Sequence, residues 1–276
     1  DGDKVMLWSK KDNKNLDNYI HQYKYAGSYL DRKEAIDYAA TKADDPKAVE
    51  LIRTALNDKY HGLRSYTIGK TDLKKEGIRK ATEEVLTGLA TTDKNALVRA
   101  GAIGKLGDLQ KKEYNNLFIT ATKDSSYTVS GNALSALIKT DEEAAKPVIS
   151  ALNNEEQDGL LADVLMNELM KSGDETKAEK IIGDFAKMPL SQGKFDALNG
   201  LSTYLSALKN TDKVKWGVDE IVKFRDAIPE AFKSQTDFYI NGMILKGILS
   251  AKSKKSKDDP SNTALKELTE YIKSKL

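Results

Sequence analysis

The sequence predicts an all-α fold, a right-handed superhelix of stacked helical hairpins, and three observations lead there. From Leu16 onward the apolar residues recur at helical spacing. A helix–turn–helix unit repeats every 31 to 35 residues through the first half of the chain. Aromatic residues make up only 7% and prolines number five in 276, which suits helices better than a β-sandwich.

Taken in order, residues 1–14 stand apart as a junction. Lys4-Val5-Met6-Leu7-Trp8 is a short apolar run flanked by charge and closed by Asp12-Asn13, so a short extended segment is expected there. Leu16, Tyr19, Ile20 and Tyr23 make one helical face. Asp31-Arg32-Lys33-Glu34 has the spacing of an N-cap and its reciprocal glutamate, with Ala35, Tyr38 and Ala39 on the stripe that follows. Asp45-Pro46 is a strong helix start, because Asp accepts free N–H groups and proline at the first position loses no needed donor. Val49, Ile52 and Leu56 then face inward. After residue 173 the repeat blurs, yet stripes continue through Ile181, Ile182, Phe185, then Leu198, Leu201, Leu205, Leu208, then Val218, Ile221, Val222. Lys252-Ser253-Lys254-Lys255-Ser256-Lys257, before Asp258-Asp259-Pro260, reads as an exposed, solvated loop, and residues 262–276 as a last helix capping the stack. The expectation is about fifteen helices with short links, in one helical-repeat domain over 15–276 whose clearest repeats span 45–172.

The repeat is anchored on the acidic residue ending each link. Asp58 is followed by Leu63, Arg64 and Ile68; Asp93, at the same offsets, by Val98, Arg99 and Ile103. Asp124 is followed by Val129, Ser130 and Leu134, and Glu155 by Leu160, Leu161 and Leu165. A single helix pair cannot bury its apolar side alone, so the units should stack.

Composition excludes several chemistries. Cysteine is absent, which removes disulfides, thiolate metal sites and a cysteine nucleophile. Lys and Arg number 44 against 42 for Asp and Glu, giving no drive toward nucleic acid. No apolar run approaches the about 18 residues of a membrane span. Nothing fixes a compartment. The two histidines, His21 and His61, lie 40 residues apart with no H-E-x-x-H, so no helix presents paired imidazoles to zinc. Gly69-Lys70-Thr71 lacks the upstream glycine of a phosphate loop and reads as a helix end. Glu83-Glu84, Glu142-Glu143 and Glu155-Glu156 are adjacent pairs that diverge on a helix and read as solvated faces. The tyrosines cluster early: Tyr19, Tyr23, Tyr25, Tyr29 and Tyr38 fall within twenty residues, either as packing within a helix pair or as an interface. Trp8, Tyr19, Tyr23 and Tyr29 are the candidate interface residues.

The segment Asn95-Ala96-Leu97-Val98-Arg99-Ala100-Gly101-Ala102-Ile103-Gly104-Lys105-Leu106-Gly107 resembles the second helix of a HEAT repeat, making the expected fold a HEAT/armadillo-like solenoid. Asp93 and Arg99 match that family's loop Asp and helix Arg, and Asp58 and Arg64 repeat the pair. The resemblance implies an inter-repeat ladder of Asp–Arg contacts over these two repeats. Ser130 in the third unit and Leu161 in the fourth break the pattern, and Pro147 falls in a first helix, where the family is kinked.

The opening, Asp1-Gly2-Asp3-Lys4-Val5-Met6-Leu7-Trp8, with Tyr19-Ile20-His21-Gln22-Tyr23, Tyr29-Leu30-Asp31-Arg32-Lys33-Glu34-Ala35 and the run from Asp58 to Arg64, resembles the C-terminal helical domain of bacterial aminopeptidase N-like zinc metallopeptidases, the gluzincin aminopeptidases. The start without Met reads as an excised or processed piece. The family's zinc and substrate motifs belong to an upstream domain and are not in this sequence, so no catalytic, cofactor-binding or metal-binding residue is carried over, and zinc is expected only in that other domain. The implied role is packing against the catalytic domain of the same polypeptide and limiting access of peptide substrates to its active site. The competing reading is a free-standing scaffold that binds protein or peptide on its concave face.

Overall fold

The computed structural model describes residues 15–153 and 157–276. The expected junction segment, residues 1–14 with Trp8, and the fourth anchor, Glu155, with its neighbour Glu156 lie outside the described residues. Among the described residues the regular structure is helical throughout and contains no strand. The chain forms two compact units that divide between Ala162 and Asp163.

The first unit holds α1 (Leu16–Tyr25), α2 (Tyr29–Thr41), α3 (Pro46–Ala55), α4 (His61–Lys70), α5 (Glu76–Thr92), α6 (Ala96–Gly107), α7 (Asn115–Ala121), α8 (Tyr127–Thr140) and α9 (Glu142–Leu152). The helix α10 (Gly159–Ser172) begins at its end. Even-numbered helices stack on one another, α2 on α4, α4 on α6 and α6 on α8, while odd-numbered ones pack outside them. Small residues allow that stacking. A Cβ on Gly107 would lie 2.7 Å from the Cβ of Ala136, so α6 and α8 approach as closely as they do only because position 107 has no side chain. Two apolar clusters result, one around Ile36, Ile52, Leu63 and Ile78, the next around Leu86, Ile103, Phe118 and Leu137.

Several expected helix starts are where the sequence places them. Asp45 caps α3 with Pro46 behind it, its carboxylate accepting from the Lys47 N–H at 2.8 Å. Asn95 caps α6, and Asn262 caps the last helix. Gly69-Lys70-Thr71 is the end of α4, and Pro147 lies inside α9. The expected cap at Asp31 is corrected. The helix α2 starts earlier, at Tyr29, and Ser28 caps it through the Leu30 N–H. Starting there places Arg32 one turn inside the helix, and Gln22 of α1 ties to the Asp31 carbonyl and to Glu34.

The second unit holds the rest of α10, then α11 (Ala178–Lys187), α12 (Gln192–Ala207), α13 (Thr211–Asp226), α14 (Glu230–Tyr239), α15 (Lys246–Asp258) and α16 (Thr263–Lys273), with a π-helical turn, Ile240–Leu245, joining α14 to α15. Its core joins Ile182, Phe185, Leu201, Tyr204, Val218, Ile221, Ile248 and Ile272. A Cβ on Gly217 would meet the Leu205 side chain at 2.5 Å, so α12 and α13 too are in close approach.

The lysine-rich stretch 252–257 is a second correction: it is the end of α15, and Lys252 is 1% exposed. Ile244, Ile248 and Lys252 follow each other at four-residue steps, continuing a buried stripe with a cation. The reason is the end of α12, whose last carbonyls have no intrahelical donors. Lys252 Nζ donates to Ser206 O at 3.1 Å and Leu208 O at 2.5 Å, and Lys255 donates to Ser206 O and Ala207 O. Lys194 does the same for α11, through Ala186 O and Met188 O. The predicted loop boundary survives only at its end, where α15 stops before Asp259-Pro260.

Burial, reinforced by the Lys255 charge, lowers the Lys252 pKa to about 8 from 10.5. The unfolded chain therefore binds more protons between those values, and unfolding free energy should rise with pH across that window. Lys252→Met removes the titration and leaves the Leu208 carbonyl without this donor. It should cost about 1–3 kcal/mol near neutral pH. In urea melts from pH 7.5 to 10.5, the gap between wild type and variant should widen as pH rises; a constant gap would place the amine's titration elsewhere.

Candidate interaction site

The ladder is built from one arginine in the first turns of each of α2, α4 and α6 and one aspartate in the link before the next even-numbered helix. Arg64 of α4 holds Asp93 with both arms, Nε to Oδ2 at 2.7 Å and Nη2 to Oδ1 at 2.9 Å. Arg99 of α6 holds Asp124 identically, at 2.9 Å and 2.9 Å. Arg32 of α2 holds Asp58 at 3.0 Å and 3.4 Å. The remaining guanidinium nitrogen of each arginine donates to the carbonyl six residues before it, Ala26, Asp58 or Asp93. Each aspartate also accepts the backbone N–H two residues on, from Tyr60, Asn95 or Ser126. Every rung thus fixes a link, the helix that follows it and the helix of the unit before.

All four expected residues, Asp58, Arg64, Asp93 and Arg99, are in the ladder, but it has three rungs and runs between units. Asp58 pairs with Arg32, and Arg99 with Asp124. Arg32 was hidden because Ala26 stands where its unit would carry the anchoring aspartate. Asp124 anchors a unit whose arginine position is Ser130, which donates to its own Ser126 carbonyl. A chain of pairs from each arginine to the next aspartate needs no aspartate in its first unit and no arginine in its last. That is the pattern present.

Burial opposes ionisation of Asp93 and Asp124, but bonds from the arginines and from the Asn95 and Ser126 N–H groups outweigh it and hold both carboxyls below the usual range. Tyr23 joins the first rung, its hydroxyl donating to Asp58 Oδ2 at 2.8 Å. Burial, and then the neighbouring carboxylate, raise the Tyr23 pKa, so the phenol keeps its proton.

The candidate interface tyrosines separate. Tyr19 is buried and stacks on Tyr38 at 4.2 Å. Tyr23 is half-buried on the ladder. Tyr29 is 49% exposed, with its ring edge against Tyr60 at 5.5 Å. Beside Tyr23 a groove of about 830 Å³ opens between α1 and α3, walled by Ile20, Tyr23, Leu51 and Thr54 and rimmed by the Asp17–Lys47 ion pair.

His21 and His61 each lie against a neighbouring tyrosine, Tyr25 and Tyr60. Among the described residues no three His, Asp or Glu side chains converge to hold a metal ion. Glu83 accepts from Lys111 and Tyr114, and Glu143 pairs with Lys146. No helix among the described residues is long and apolar enough to cross a membrane.

A family model for HEAT repeats matches residues 83–176. No curated protein matches the chain in sequence. Residues 83–176 are therefore similar to HEAT repeats, within a chain whose regular structure is helical throughout the described residues.

Removing one partner of a part-buried bidentate pair strands the other, so Arg99→Ala should cost about 1–3 kcal/mol, against about 0.5 kcal/mol or less for Arg79→Ala, which has no such partner. Equal shifts in denaturant melts would mean the rung contributes nothing. The depressed carboxyls add a pH signature. Their contribution is full above the ordinary Asp pKa of about 3.9 and is lost as pH falls through the lower folded values. Asp93→Asn should flatten the loss of stability below about pH 4; an unaltered acid limb in melts from pH 6 to 2 would contradict it.

Proposed function

We propose that the chain is the non-catalytic helical-repeat domain of a zinc aminopeptidase-like protein, docked on the catalytic domain of the same polypeptide and restricting entry to its active site. The observation that carries the reading is the groove between α1 and α3. It lies between the first helices of the stack, Ile20, Tyr23 and Leu51 give it apolar surface inside a charged rim that includes Lys24, Glu50 and Lys59, and the first rung, through Arg32, Asp58 and Tyr23, stands on its wall. A domain attached by that end needs apolar contact on a surface that does not yield. The likeness of the opening residues and of the run Asp58 to Arg64 to that family's helical domain points the same way. The second reading, a free-standing scaffold that binds protein or peptide, draws on the HEAT match alone.

The test uses the full-length polypeptide. Thr54→Glu places a charge on the groove wall without entering the core, since Thr54 is exposed. On the proposed reading it weakens docking, removes cross-links from Lys24 and Lys47 to an upstream zinc-binding domain, and raises the hydrolysis rate of long relative to short peptides several-fold. An unchanged rate ratio with unchanged cross-links rejects the gating role. A polypeptide with no zinc-binding domain leaves the scaffold reading.

A further inference from the structure

The groove between α1 and α3 has a direction, and its chemistry changes along it. Asp17 and Lys47 pair at 2.7 Å where the two helices start. Tyr23, near the end of α1, donates to Asp58, just beyond the end of α3. The two helices therefore run side by side in the same sense. Lys24 and Lys59 are the chain neighbours of that bonded pair, and both line the groove, so its far end carries two amines.

Most other polar groups along the groove are already taken. Asp17 and Lys47 satisfy each other at the near end. Asp58 is held by Arg32 and Tyr23, and Glu50 on the rim pairs with Arg53 at 3.3 Å. Arg32 takes the Ala26 and Gly27 carbonyls that follow α1, while the Asn57 and Asp58 N–H groups take the Thr54 and Ala55 carbonyls that end α3. Two cations are left. Lys24 and Lys59 are exposed, and among the described residues neither has an ion-pair partner. Lys24 lies over the exposed Tyr25 ring, its amine 5.1 Å from the centroid. Between the two ends Ile20, Leu51 and Tyr23 give apolar surface, and the Tyr23 hydroxyl has committed its proton to Asp58. The groove is thus complementary to an apolar body that carries an anion at one end.

We propose, on the premise that these helices dock on the catalytic domain, that the groove receives an extended segment of that domain with apolar side chains at alternate positions followed by an acidic residue. From Asp17 to Lys24 the groove runs about 10 Å along α1 at 1.5 Å per residue. An extended chain advances about 3.3 Å per residue, so about three residues fill that length. Alternate side chains of such a segment point the same way, so the first and third rest on Ile20, Leu51 and Tyr23 while the second faces water. An open groove suits that alternation; a hydrocarbon tail laid in it would keep one apolar side in water. The acidic residue that follows meets Lys24 and Lys59, which fixes the direction of the segment as well as its position.

The probe is a fluorescein-labelled peptide of about seven residues, Gly-Leu-Ser-Leu-Glu-Glu-Gly with an amidated C-terminus, titrated against the 276-residue chain. Anisotropy should report a Kd on the order of 100 micromolar that weakens as salt rises. The double variant Lys24→Glu, Lys59→Glu should weaken binding about tenfold or more, and so should Thr54→Glu, with thermal melts little changed because all three side chains are exposed. Peptides with Lys in place of Glu, or Ser in place of Leu, should not bind. Absent binding, binding indifferent to both variants, or equal binding of either control peptide overturns the proposal. Displacement by decanoate at a lower concentration than by unlabelled peptide overturns it in favour of a small lipid acid. The gating role is read separately. Peptide binding lost in Thr54→Glu, with the long-to-short hydrolysis ratio of the full-length polypeptide unchanged, upholds the occupant and rejects the gate. An altered ratio without peptide binding keeps the docking and overturns the occupant.

Discussion

A pair of short helices has one apolar face too many. The first unit settles that by stacking, and the arginine–aspartate rungs settle how the stack is aligned. Apolar contact alone is non-directional and would tolerate sliding of one unit over the next. A two-armed guanidinium–carboxylate pair does not, because both bonds are lost together when the planes separate. Since each arginine also holds its own link's carbonyl and each aspartate its own link's N–H, a rung orients three pieces of chain at once. The placement of the links follows from it, as does that of Tyr23, whose hydroxyl donates to the first rung beside the groove.

The second unit uses a different device for its orphan carbonyls. Lys194, Lys252 and Lys255 reach helix ends from neighbouring elements, and the first two occupy buried positions that elsewhere in the core are apolar. A lysine stem is long and apolar enough to continue a buried stripe while its amine meets the carbonyls. The helix end supplies partial negative charge that holds Lys252 at 1% exposure, and the Glu175 carboxylate adds to it.

Much of this was legible in the sequence, for identifiable reasons. Helical periodicity carries its own signal, and Asp45-Pro46 or Asn95 announces a helix start chemically. The repeat was readable because the link aspartates are followed by apolar residues at fixed offsets, Leu63, Val98 and Val129 among them. Arg32 and Asp124 were missed because the rung pairs consecutive units, and a search for both residues in one unit discards the two ends. Lys252 was missed for the opposite reason: a run of lysines and serines hides one buried position, although its four-residue step from Ile248 was visible. The fates of Tyr19 and Tyr29, one buried on Tyr38 and one exposed on Tyr60, were not legible, since both sit on helical faces and only packing distinguishes them.

The central claim is that the rungs couple neighbouring units rather than decorate them, and native-state hydrogen exchange of wild type and Arg64→Ala measures it most directly. If the ladder couples units, protection should fall together in α4 and α6, including amides of α6 well beyond the first turn that Arg64 touches through Asp93. Loss confined to the Asp93 link, with the interior of α6 exchanging as in wild type, would contradict the account.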